Sequence, residues 1–203
     1  MTIAKRLVIL LTVPLLILVG LGIFVRAQLA SIEGKSAFLA TQTESLAVLG
    51  NISRSFTELR VNVRGFLLTE DKAEQSRAQA LFTEDKADVI RLLGQYADTL
   101  VTGDRDRRLM EEYRNATREW IASAEKVMSL AAEGHREEAI RMLNGPVSEI
   151  GMRLSKVSGE WIQHNEQLAM DAGKAAAAVI EAARRNMFIA VGIALALTGY
   201  WAS

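Results

Sequence analysis

The chain has 203 residues, with 24 Lys+Arg balanced by 24 Asp+Glu and no cysteine. Balanced charge gives no reason to expect a nucleic-acid partner. The lack of cysteine excludes disulfides, thiolate metal sites and cysteine nucleophiles, so any fold is held by packing alone. Two prolines, few aromatics and an abundance of Ala, Leu, Glu, Arg and Lys favour helix throughout.

Residues 1–6 form a short N-terminus carrying Lys5 and Arg6. The run Leu7–Val25 then contains no charged residue. As a helix it rises roughly 28 Å, close to the ~30 Å hydrocarbon core of a bilayer. Only a helix or a closed barrel satisfies its backbone groups in lipid, and one isolated run makes no barrel. Lys5 and Arg6 would also suit a signal peptide. The run is long for that role, and the following FVRAQLA lacks a nearby small-x-small cleavage site. We read residues 7–25 as an uncleaved transmembrane helix; Pro14 is tolerable in such a helix.

Residues 26–186 form the polar-patterned head. Nothing stops a helix from Arg26 to Leu68, so the span and the first helix of the head are expected to be one rod. Leu39, Leu46, Leu49, Phe56, Leu59, Val63 and Phe66 make its apolar stripe. At Asp71 the chain can cap a new helix, with Glu74 completing a capping box. That second helix runs to about Val101, with Phe82, Val89, Leu93, Tyr96 and Leu100 on one face. Gly103 suits the left-handed stop and Asp104 the next N-cap. A third helix, to about Ala132, repeats Tyr113, Trp120 and Val127, and Gly134 ends it. A short amphipathic segment with Ala139, Ile140 and Leu143 follows. Gly145-Pro146 is expected to break the chain, with Pro146 opening the fourth helix. Ile150, Leu154, Val157, Trp161 and Leu168 form the stripe of that helix, which continues towards Arg184 and Arg185 at the interface.

Residues 187–203 form a second uncharged run. Its stretch Met187–Ala202 is roughly 24 Å as a helix, short of a full crossing, so the chain is expected to continue beyond it. The basic N-terminus puts residues 1–6 in the cytoplasm, and a head this long crosses regardless of its charge. The expected fold is all-α: an up-down four-helix bundle flanked by two transmembrane helices, with the head extracytoplasmic. By length, the first and fourth helices outrun the second and third by some 15 Å near the membrane. Their stripes need burial there, and a second copy of the chain, giving a parallel homodimer, is the simplest source.

No phosphate loop, paired-histidine zinc motif or nucleophile elbow occurs, so the chain reads as neither enzyme nor cofactor protein. His135 and His164 lack the spacing of a metal site and read as structural or surface residues, with His164 a candidate pH-responsive contact. Arg60 and Arg64 share a helix face near the far end of the bundle. They either fork onto a ligand carboxylate or pair with glutamates of neighbouring helices. Trp120 and Trp161 lie in the stripes and read as core, with an aromatic ligand pocket as the alternative. The turn Gly103–Arg108 reads as solvated or as touching anionic headgroups. Gly192 and Ala196 make a small-xxx-small pair suited to close helix contact.

The stretches ELRVNVRGFLLTED (Glu58–Asp71), AAEGHREEAIRML (Ala131–Leu143) and EWIQHNEQLAMDAGKAAAAVIEAARRN (Glu160–Asn186) resemble the four-helix-bundle sensor domain of methyl-accepting chemotaxis proteins. The resemblance covers nearly the whole chain. It implies a sensory region in the bacterial cytoplasmic membrane with a periplasmic head, a homodimer, and a small-molecule ligand or a periplasmic binding protein as stimulus. In aspartate-type chemoreceptors, arginines in a similar place grip a ligand carboxylate across the dimer, which implies Arg60 and Arg64 here. The RVNVR spacing differs from theirs and carries no amino-acid specificity over. The family's linker and cytoplasmic signalling region are missing from this chain. The same module also feeds histidine kinases and cyclic-dinucleotide enzymes, and a non-signalling membrane tether is the remaining alternative.

Overall fold

A computed structural model describes the backbone of residues 3–202, and the side chains of residues 12, 15, 19–193, 195 and 196. Every regular element among the described residues is helical. Helix α1 (Ile3–Leu68) runs without a break, as the absence of any stop signal between Arg26 and Leu68 predicts. Helix α2 (Lys72–Thr99) starts at Asp71, whose side chain accepts from the Ala73 N–H. Glu74 does not close the box: it accepts from the Thr69 hydroxyl, and the Asp71 N–H reaches Thr69 Oγ1 instead. Helix α3 (Gly103–Ala132) follows a turn in which Gly103 takes φ +83°, and Gly134, at φ +90°, sits just past its end. Both angles fall where only glycine is unstrained.

The expected break at Gly145-Pro146 does not occur. Helix α4 (Arg136–Met142) passes into one π turn (Leu143–Val147), which passes directly into helix α5 (Ser148–Ala202). Pro146 has no N–H to give to the preceding turn, and its ring clashes with that turn's carbonyl. A wider π turn accommodates both defects without ending the helix.

The chain folds as two compact units, Met1–Ala40 with Ala169–Ser203, and Thr41–Leu168. The second is an antiparallel bundle of α1, α2, α3 and α5, and side-chain pairs fix its topology. Asn62 on α1 donates to Asp85 on α2 at 2.8 Å, and Gln42 on α1 reaches Thr102 at the far end of α2 at 3.1 Å. Lys86 on α2 pairs with Glu125 on α3, and Glu119 on α3 with Arg153 on α5. Most of the stripes read from the sequence are core: Leu59 and Val63, Val89 and Tyr96, Tyr113 and Trp120, Leu154 and Trp161 are all at most 2% exposed, whereas Leu39, Leu46 and Leu168, at the end of the stripes towards the first unit, are only half-buried.

The first unit contains the ends of α1 and α5. Its described apolar side chains include exposed ones on both helices: Ile23 and Leu29 on α1, Ile180 and Phe188 on α5. No helix among the described residues is long and apolar enough to cross a membrane. Half of the side chains of the expected spans, 7–25 and 187–203, lie outside the described residues. Gly192 and Ala196 are exposed, and a Cβ added at Gly192 would meet nothing within 4 Å.

Candidate functional site

Two polar centres stand out in the bundle. The first contains Arg60 and Arg64. One turn apart on α1, they line a hollow of about 40 Å³ with Trp120 of α3, Leu143, Asn144 and Val147 of the π turn, and Ser148 and Gly151 of α5. Arg60 is half-buried and Arg64 exposed. Neither forms a salt bridge among the described residues, so the expected pairing with neighbouring glutamates is not found there. Two guanidiniums on one face with no carboxylate to hold have the chemistry to fork onto an anion. Uncharged donors and acceptors of Asn144 and Ser148 stand on the opposite wall. The π turn brings them there, so Pro146 shapes this wall instead of ending a helix. Trp120, 2% exposed, is its floor; its ring packs edge-on against Phe56 at 4.9 Å between centroids.

The second centre surrounds Asp106 and lies at the opposite end of the bundle, where α2 turns into α3. Asp106 is completely buried. Contrary to expectation, the turn Gly103–Arg108 is therefore not wholly a solvated or headgroup-facing segment. Asp106 Oδ1 accepts from Trp161 Nε1 at 2.6 Å and Asn165 Nδ2 at 3.2 Å, and Oδ2 accepts from the Thr102 backbone N–H at 2.7 Å. Tyr96 Oη lies 2.9 and 3.1 Å from the two carboxylate oxygens and 3.0 Å from Asn165 Oδ1. The Thr102 contact caps α3, a role expected of Asp104, because a carboxylate one turn inside the helix reaches back to the N-cap. Burial first, and then the Asp106 charge, push the Tyr96 phenol far above its ordinary range, which keeps it a neutral donor. Burial likewise raises the Tyr113 phenol. No cation pairs with Asp106 among the described residues; its charge is held by hydrogen bonds and by the positive end of α3.

The remaining candidates are less productive. Trp120 and Trp161 are core, as expected, and the hollow of about 40 Å³ that Trp120 lines is too small for an aromatic ligand. His135 is exposed just before α4 and makes no capping bond with its side chain. His164 is half-buried, and its Nε2 has no hydrogen-bond partner. No metal-binding group of three or more His, Asp or Glu occurs among the described residues.

Residues 1–180 match the sequence pattern of a family described as the four helix bundle sensory module for signal transduction. The chain belongs to this family. The match takes in α1, α2, α3, α4 and most of α5, and therefore both polar centres of the sensory module. No curated protein and no solved structure matches the chain.

Proposed function

We propose that this sensory module is the input region of a bacterial transmembrane receptor of the methyl-accepting chemotaxis type. Its head lies outside the cytoplasmic membrane, and it works as a non-catalytic homodimer. Support comes chiefly from one observation: α1 and α5 leave the bundle without a break and continue into the apolar terminal segments. A displacement of ~1–2 Å along such a rod is of the size that carries signals across subunit interfaces. A stimulus produces it only by binding one arrangement better than the other.

In this reading the stimulus is a small anion, a carboxylate above all, held by Arg60 and Arg64. A hollow of about 40 Å³ is far below the ~300 Å³ of ordinary ligand sites. A second copy of the chain laid against α1 would supply the missing wall. It would also cover apolar side chains such as Leu29, which is 53% exposed. A periplasmic binding protein presenting an acidic side chain would meet the same two arginines. The family is described by signal transduction at large, so a histidine kinase or cyclic-dinucleotide enzyme as output is the second reading.

The test joins residues 1–203 to a chemoreceptor output region and screens small carboxylates in cells. We expect a response that a Gly-rich insertion beside Arg184 abolishes, because a flexible link cannot transmit an axial shift. A response that survives the insertion, or none to any carboxylate, would overturn the reading.

A further inference from the structure

The two polar centres are joined by aromatic rings. Trp120, the floor of the Arg60/Arg64 hollow, packs edge-on against Phe56, and Phe56 against Tyr113 at 6.4 Å. Tyr113 meets Trp161 at 5.7 Å, and Trp161 meets Tyr96 at 4.6 Å. Trp161 and Tyr96 both end on Asp106. One column of rings thus runs through the core from the hollow to the buried carboxylate, drawing on α1, α2, α3 and α5.

The Asp106 layer differs in kind from the rest of the core. Of the six buried polar residues among those described, Gln42, Ser45, Asp106 and Asn165 lie in this layer or beside it. Apolar packing is non-directional and yields to a small axial slide. Hydrogen bonds of 2.6–3.2 Å on one carboxylate do not. A buried charge without a cation also cannot lose a donor cheaply, because the charge is then left unsolvated. The layer therefore holds or releases as a unit. On α5 it lies at Trp161 and Asn165, just before that helix leaves the bundle at Leu168; on α1 it lies at Gln42, just after that helix enters at Thr41.

We propose that the Asp106 layer is a register clasp, fixing where α5 stands against the α2–α3 turn. The ring column couples occupancy of the arginine hollow to that clasp. A ligand drawn against Trp120 shifts its ring, and the ring contacts, edge-on at Phe56 and tilted between Tyr113 and Trp161, pass the shift to Trp161, whose indole N–H is the shortest bond to Asp106. This proposal rests on the sensory reading above, for which it names the regulatory route.

Hydrogen exchange on the whole chain in lipid nanodiscs tests it without any ligand. The probe is the Thr102 amide, which is bonded to Asp106 Oδ2. Trp161→Phe keeps a ring in the column but deletes the donor; we expect Thr102 to exchange about tenfold faster or more, the loss of one hydrogen bond to a charged group. Trp120→Leu, at the far end of the column, is expected to speed the same amide roughly two- to thirtyfold, the range of coupling along a packed network. Ile121→Ala truncates another buried side chain, next to Trp120 in sequence but off the column, and is expected to leave Thr102 within about twofold. An unchanged Thr102 in Trp161→Phe would overturn the clasp. Equal effects of Trp120→Leu and Ile121→Ala would overturn the column. These exchange rates are read with the Arg60/Arg64 hollow empty, so a failure of ligand sensing is read separately.

Discussion

The Asp106 layer and the Arg60/Arg64 hollow are opposite solutions to placing charge in a helical bundle. Asp106 is fully enclosed, and each of its oxygens has a donor. Arg60 and Arg64 reach the surface, and no carboxylate meets them among the described residues. A satisfied buried charge holds structure, because every departure from it is costly. An unsatisfied pair at the surface costs the fold little and is free for a ligand. On the proposals above, one end keeps register and the other receives.

Stability and response should therefore separate by end. The largest loss is expected for Asp106→Ala, which strands the Trp161 N–H in the core and takes the acceptor from the Thr102 N–H, leaving the Tyr96 hydroxyl with Asn165 alone; denaturant melts should show about 3–5 kcal/mol. Trp161→Phe, which removes one donor to the charge, should cost about 1.5–3 kcal/mol in the same melts. Gly151→Ala should stabilise by about 0.5–1 kcal/mol in thermal melts, since alanine is the better helix former. The added Cβ would lie 3.6 Å from Trp120 Nε1, an ordinary contact.

The smallest effects are expected on the bundle surface. Arg60→Ala and Arg64→Ala should each stay within about 0.5 kcal/mol in stability while abolishing anion binding. Asp85 provides a pH test. Its carboxyl is raised first by burial and then by Glu58, and is lowered by its bond to Asn62. A carboxyl raised in the folded state favours folding more as pH falls through its folded pKa. Asp85→Asn keeps an acceptor for Asn62, so it should stabilise slightly at neutral pH, with the gain fading in acid; melts at both pH values check the sign.

The apolar periodicity made the bundle legible. Spacings of three, four and seven put Phe56, Tyr113, Trp120 and Trp161 in the core, where they lie. The Asp106 layer was hidden by composition: Gly103–Arg108 is a charged run, and charge reads as solvent. The phase of the stripes carried the missing signal. Seven residues before Tyr113 is Asp106, and four after Trp161 is Asn165, so both occupy core positions with polar side chains. Pro146 misled for a different reason. The rule that proline ends a helix concerns the α ladder, and a π turn lies outside it. The arginines were legible as a pair on one face. Their lack of a glutamate partner among the described residues was not, because ion pairing depends on neighbours that only the folded bundle supplies.

The direct test of the central claim, that the arginine end receives an anion, is thermal melting of the whole chain in nanodiscs against a series of small mono- and dicarboxylates. At least one acid should raise the wild-type melting temperature saturably, as binding to the folded state requires, and should fail to do so in the Arg60→Ala/Arg64→Ala chain. An equal rise in both chains, or none in the wild type, would contradict it.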